Sequence, residues 1–437
     1  MKQKSSLLIL FFLPLFGVVF GQSNLNKVSK NGNDFSAANQ FVKKDSTLIQ
    51  NDTARPEMAF QNKKISTPQK DIRDVFKNVF NLKEKPATEE EKKDLKKHFS
   101  ILPAAGYTLQ TGFAVLLSAN MAYNVDTLAE AKISSINTNF TYTQYNQTII
   151  PFQASLWTKG NRYNLISDFR HISYPSAIFG LGGRIDPNIG YTINFNGLKL
   201  HQTIMKAVSN NLYLGLGLYY DNFQKITAIE KISDTVSRRI LKELGSHETA
   251  MGIAFRFTYD SRLNQVNPKQ GLYYNITYRV NPKTFGSDST WNSLQIDSRA
   301  YLPFPKGSNN ILAFWMFDWL TASGTPPYLL LPSTGGDDSY NTGRGYIQGR
   351  FRGRDMVYFE SEYRYGITRN GLIGGVLFAN VQNFSSDLSK QYSKLFPGYG
   401  LGVRMKFNKY SNANVCIDYG FGVKDSHGFF VNIGEVF

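Results

Sequence analysis

Two glutamates on alternate positions, Glu360 and Glu362, follow an arginine set between glycines in Thr342-Gly343-Arg344-Gly345-Tyr346. A guanidinium is a rigid fork of donors that fits carboxylates in pairs, so these residues can form a strong ionic clasp if the chain brings them together. Catalysis needs more than this. A nucleophile must stand beside a base, yet the five histidines (His98, His171, His201, His247, His427) share no motif, and no nucleophile elbow is present. The single cysteine, Cys416, excludes an internal disulfide and any cysteine-rich metal site. Gly336-Asp337-Asp338 lacks the oxygen-rich spacing of a calcium loop. The glycine-rich Phe179-Gly180-Leu181-Gly182-Gly183-Arg184 neither follows a buried strand nor opens a helix, so it does not read as a phosphate cradle. The expectation is a protein that is not an enzyme and needs no cofactor or metal. Arg344, Gly345 and Tyr346 then read as a loop folded back onto the face of Glu360 and Glu362, either as a structural or gating lock or as an ordinary surface loop.

The elements that would position this lock follow from a period of two. From Met356 to Ile367, Val357, Phe359, Ser361, Tyr363, Tyr365 and Ile367 fall on one face, and Tyr358, Glu360, Glu362, Arg364 and Gly366 on the other. Such alternation is a strand between unlike environments. The same pattern recurs in Leu212-Leu214-Leu216-Leu218-Tyr220 and in Met251-Ile253-Phe255-Phe257-Tyr259. Near the end, Asn414, Cys416 and Asp418 alternate with Val415, Ile417 and Tyr419. Sixteen such stretches run from 103–109 to 427–437, an even number of membrane-spanning length. Aromatics at 14% with 36 glycines and only 19% charged residues suit a barrel with a lipid-facing exterior and a wet interior. No stretch after residue 21 approaches a membrane helix. The fold class expected is all-β: a sixteen-stranded transmembrane barrel of the outer membrane over 101–437.

Ahead of it, Lys2 and Lys4 precede the apolar run Leu7 to Phe20, with Val19 and Gly21 at the small-residue positions of a cleavage site. Residues 1–21 therefore read as an export signal. Residues 22–100 read as a disordered tail with two short helices, one over Asp71–Phe80 and one opened by the capping box Thr88/Glu91. The first is amphipathic and is expected to pack within this protein. The net charge of +16 is spread through tail, strands and loops, which disfavours nucleic acid and suits anionic lipid headgroups. Short turns at one end and long connections at the other (174–190, 225–248, 322–354) imply an N-terminus in the periplasm. Phe437 is expected to close the last strand with Phe429, Val431 and Ile433 on one face, an aromatic ending that the barrel-assembly machinery reads on its substrates.

Three groups of residues in order resemble the BamA superfamily, the bacterial surface antigen family. Tyr259-Asp260-Ser261-Arg262 with Pro268 and Gly271 is similar to its periplasmic turn between the eighth and ninth strands. Gly335-Gly336 and Arg344-Gly345-Tyr346, then Glu362, are similar to its sixth extracellular loop and partner. Gly400, Gly402, Arg404 and Asp418-Tyr419-Gly420 match its closing strands. The resemblance implies a barrel whose first and last strands pair weakly and open sideways to insert or translocate polypeptides, with a role in outer-membrane protein insertion, translocation or lipid handling. It also implies a loop Arg344 folded into the lumen onto Glu362. Gly343 stands where the family has a branched apolar residue, and Asn380 where it often has a second carboxylate, which would weaken the lock. No periplasmic substrate-handling domains are evident, so client delivery would rest on separate periplasmic or outer-membrane partners. A passive channel for small solutes is the alternative reading.

Overall fold

In a computed structural model the protein is described over residues 69–79, 97–126, 132–182, 191–229, 244–385, 394–409 and 412–437. The export segment, the tail to residue 68 and most of the second expected helix lie outside the described residues.

All strands belong to one antiparallel sheet. It begins with β1 (Lys97–Thr108), β2 (Gly112–Tyr123), β3 (Ser134–Thr143), β4 (Thr148–Trp157) and β5 (Tyr163–Ser173). A three-residue β6 (Ser176–Ile178) precedes β7 (Tyr191–Ser209), β8 (Leu212–Ala228), β9 (His247–Asp260) and β10 (Gly271–Asn281). Then come β11 (Trp291–Pro303), β12 (Ile311–Gly324), β13 (Asp355–Gly366) and β14 (Ile373–Phe384). The last are β15 (Phe396–Asn408), β16 (Ala413–Phe421) and β17 (His427–Ile433). The sixteen expected strands are all present, with β6 added. Each long strand pairs with its chain neighbours, and β5 passes its ladder to β7. The result is a nearly closed barrel.

Alternation is the physical cause. On β8, Leu214, Leu216 and Leu218 are 48, 54 and 61% exposed on the outside, whereas Tyr213 is 3% exposed inside. A leucine row of this kind is favourable against hydrocarbon, and closure leaves few backbone groups unpaired there.

Both ends of the sheet differ from expectation. β1 starts at Lys97, inside the segment read as tail, because Lys97–Ser100 continue the ladder opposite Asn120–Tyr123. β17 stops at Ile433, and Phe437 does not belong to it. Gly434 takes a left-handed φ of 92° and turns Glu435, Val436 and Phe437 into the lumen. Phe437 is there 3% exposed, its ring 5.2 Å from that of Trp315, while Phe429 and Ile433 stay outside at 44 and 45%. The carboxylate of Glu435 explains the turn: its guanidinium partners lie inside, and a strand continued straight would carry it away from them.

The first and last strands meet without a paired register among the described residues. The Leu109 N–H donates to Phe429 O (3.3 Å), and a Cβ at Gly106 would stand 3.9 Å from the Val431 methyls. Elsewhere neighbouring long strands share ladders of at least six residue pairs, so this seam is where the wall is weakest.

Inside, the loop 325–354 between β12 and β13 folds down into the barrel. Aromatic residues from the wall (Tyr301, Trp315, Tyr358, Phe384, Phe396) pack with Tyr346 and Phe351 of the loop and with Phe437. At the short-turn end, helix α1 (Ile72–Val79) docks on the rim. Asp71 and Asp74 cap its first turn reciprocally, and Lys409 bonds both, its N–H to Asp71 Oδ2 (3.1 Å) and its Nζ to Asp74 (3.0 Å). The helix is held on the barrel through those acidic residues, while Val75 of its apolar face stays exposed.

Candidate functional site

The loop reaches its place through backbone that only glycine tolerates. Gly345 has φ 108°, and a Cβ there would stand 2.6 Å from Phe421 O. Gly343 has φ 80°, and a Cβ would meet the Thr334 methyl at 2.6 Å, which is why no branched residue fits before Arg344. Polar contacts hold the segment on several strands. Asn380 Nδ2 on β14 donates to Arg344 O (2.9 Å). Ser426, just before β17, donates to Gly345 O (2.7 Å). The Tyr346 hydroxyl donates to Pro397 O on β15 (2.5 Å) and accepts from Val423 N (3.0 Å).

Arg344 itself is 1% exposed and lies 3.8 Å above the Phe378 ring. Its Nη2 donates to Glu360 and Glu362 on β13, and its Nη1 to Asp418 on β16. The cluster continues. Arg364 Nε donates to Glu362 Oε2 (2.6 Å), Arg404 Nη1 to Asp418 Oδ1 (2.5 Å), and Arg404 Nε to Glu435 Oε2 (2.8 Å). Tyr358 completes Glu360, and Asn414 Nδ2 completes Glu435 at 2.6 Å. Three guanidiniums thus face four carboxylates, and all eight carboxylate oxygens have donors. Such a cluster offers neither a free base nor an open coordination position; it can hold a loop in place. Burial makes it hard to break, since removing one partner of a buried pair costs about 3–5 kcal/mol.

A second anchor lies on the far wall. Arg170 on β5 donates to Asp338 O (2.6 Å) and stacks over Tyr340, while Lys199 on β7 pairs with the Asp338 carboxylate at 3.0 Å. The loop therefore spans the lumen between the β13–β16 wall and the β5–β7 wall.

A domain model described as the Omp85 superfamily domain matches residues 116–437. The chain belongs to the Omp85 superfamily. Its fold is similar to that of BamA from Haemophilus ducreyi lacking POTRA domains 1-3, at 15% identity over 77% of this chain and 70% of that one, with TM-score 0.50. It is also similar to that of CdiB from Acinetobacter baumannii, at 15% identity over 78% of this chain and TM-score 0.52; the match spans 60% of the CdiB chain. No curated protein sequence matches the chain.

In this Omp85 barrel the turn residues Asp260, Arg262, Pro268 and Gly271 come together at the short-turn end. Arg262 grips Asp260 bidentately (2.9 and 3.1 Å), and Gln265 Nε2 donates to the same carboxylate (2.9 Å). Pro268 is buried, and Gly271, with φ 114°, leaves Ser261 O no room for a Cβ. The turn then crosses the mouth, where Glu435 N donates to Val266 O (3.0 Å) and Asn267 Nδ2 to Asn412 O (3.0 Å).

Five members of the Omp85 cluster carry no assigned role in the sequence reading: Arg364, Arg404, Asp418, Glu435 and, as a loop anchor, Asn380. Asn380 does not replace a missing carboxylate; it holds the Arg344 backbone instead, and Asp418 supplies the third acid. Gly402 is the available signal for Asp418. A Cβ there would collide with the Asp418 carboxylate, so a glycine stands opposite an inward acid on the neighbouring strand.

Proposed function

We propose that this outer-membrane Omp85 barrel inserts or translocates polypeptides by opening at the β1–β17 seam, with the 325–354 loop as its lock. In this reading Arg344, Gly345 and Tyr346 are the moving part, Glu360 and Glu362 the fixed part, and Asp260 with Arg262 a brace at the periplasmic mouth. The observation that carries the reading is the joining of a weak seam to a loop bound on the strands beside it: Asn341 Nδ2 donates to Val436 O (2.7 Å) and Asn432 Nδ2 to Asn341 Oδ1 (2.9 Å). A loop tied to the last strand can report or control whether that strand stays paired. The outer belt of exposed leucines and aromatics contacts outer-membrane lipid, residues 1–21 direct export, and the barrel-assembly machinery inserts the chain. Separate periplasmic or outer-membrane proteins bring clients.

Depletion followed by outer-membrane proteomics tests the proposal. Broad loss of barrel proteins supports assembly, and loss of one secreted class supports translocation. An unchanged proteome overturns both. The passive-channel alternative predicts a large steady conductance in planar bilayers that Arg344→Ala leaves unaltered. A loop spanning the lumen argues against such a pore.

A further inference from the structure

Opposite the lock, the lumen keeps a cavity of about 610 Å³ between the loop tip and the β7–β11 wall. Its carboxylates are already engaged. Asp221 is paired with Arg279 Nη1 (2.7 Å) and His201 (3.0 Å), Asp297 with Arg299 (2.7 Å), and Asp338 with Lys199 (3.0 Å). Asp337 spends its oxygens on backbone N–H groups of its own loop. Arg256 alone remains on this wall. Its Nε donates to Asn275 Oδ1 (2.6 Å) and its Nη2 reaches Tyr273 OH (3.4 Å), and no carboxylate pairs with it among the described residues. Arg279 stands beside it, because Thr277 is the register partner of Arg256 and Arg279 lies two residues further on the same face.

Arg279 supplies the second observation. Its side chain is 9% exposed and held between the Tyr219 and Trp291 rings, 5.4 and 5.1 Å from their centroids. Nε and Nη1 are satisfied by Asn281 Oδ1 (2.8 Å) and Asp221, but Nη2 has no partner. The Trp291 indole N–H, on the same cavity wall and 1% exposed, has none either. Unpaired donors in a desolvated place are costly, and an unbalanced guanidinium more so. Two such donors beside Arg256, which no carboxylate contacts among the described residues, call for an acceptor that carries negative charge.

We propose that this cavity is a binding site for a small soluble oxyanion of the phosphate or carboxylate class, with Arg256 and Arg279 as its charged ligands and the Trp291 indole as a neutral donor. A planar guanidinium matches pairs of carboxylate or phosphate oxygens bidentately, and two of them suit an anion with several oxygens. The site opens to the lumen and not to the exposed apolar face, so a lipid headgroup of the surrounding membrane does not reach it. This assignment does not depend on the insertase or translocase reading and would hold for a channel as well.

The test uses the full chain in detergent micelles, with inorganic phosphate titrated against chloride at constant ionic strength and the ³¹P line width recorded. Saturable broadening is expected for the wild-type chain and for the exposed-turn control Lys306→Gln. Arg256→Gln and Arg279→Gln should each weaken it by about tenfold or more, the loss of one charge-assisted bond. Heat-modifiable migration on gels reports whether each variant folds. Absence of saturable broadening in the wild-type chain overturns the proposal without reference to any variant. Saturation undiminished in both folded arginine variants overturns it too.

Discussion

Glu435 accepts a hydrogen bond from Arg404 Nε over 2.8 Å, and through that contact the tail beyond β17 shares one ionic network with the loop arginine. Arg404 continues to Asp418 Oδ1 at 2.5 Å, and the other oxygen of Asp418 takes Arg344. Residues that belong to one network do not contribute independently. Arg344→Ala should lower barrel stability by about 3–5 kcal/mol, because three buried carboxylates lose a donor. Glu435→Ala should cost less and be non-additive with it by more than about 0.5 kcal/mol, although Arg344 and Glu435 do not touch. Unfolding of the four chains, followed by heat-modifiable migration, measures the cycle; additivity within error would show that the tail and the loop are uncoupled.

Gly345→Ala should displace the loop although it alters no charge. The left-handed backbone and the Phe421 carbonyl 2.6 Å from the new Cβ together cost about 1–3 kcal/mol. Gly366→Ala is the control, since a Cβ there meets nothing within 4 Å and φ is ordinary. Limited proteolysis of the 325–354 loop should quicken in the first variant and stay unchanged in the second.

A disulfide can be placed across the seam by Gly106→Cys with Val431→Cys, where the two side chains would approach closely. Oxidation should alter migration of the unfolded chain on non-reducing gels, because the cross-link closes a long loop. If client passage requires the seam to open, the oxidised protein should lose its ability to restore the outer-membrane proteome and regain it on reduction. Full complementation by the oxidised form would refute seam opening.

Phe437→Ala should cost about 3–5 kcal/mol, the usual penalty for emptying a buried aromatic site. Phe429→Ala, on the outer face, should cost much less in detergent. The exposures of 3 and 44% set the order. Equal melting of the two variants would place Phe437 outside the core.

The strands were legible because their cause is local. Leu214, Leu216 and Leu218 announce an outward face two residues at a time, and no distant contact is needed to read it. Glu360 and Glu362 were legible as inward acids for the same reason, and so was the glycine-flanked Arg344 as a candidate partner. Phe437 shows where that reasoning fails. Continuing the alternation of Phe429, Val431 and Ile433 puts it outside, yet Gly434 breaks the period and the arginines inside draw Glu435 after them.

Which strands face each other across a lumen is not a local property. Arg344 and Asp418 are 74 positions apart, and their bond exists because four strands and a folded loop bring β16 round to the loop. The β9–β10 register sets Arg256 beside Arg279, and the lumen around them leaves both with fewer partners than their donors need. Sequence alone determined the barrel, its sixteen long strands and, where the alternation is clear, the polar side of a strand, since a two-residue period states its own environment. Tertiary structure alone decided which inward charges meet, because pairing depends on register and curvature accumulated over many strands, and a cavity with unspent donors appears only when those errors or fits are summed.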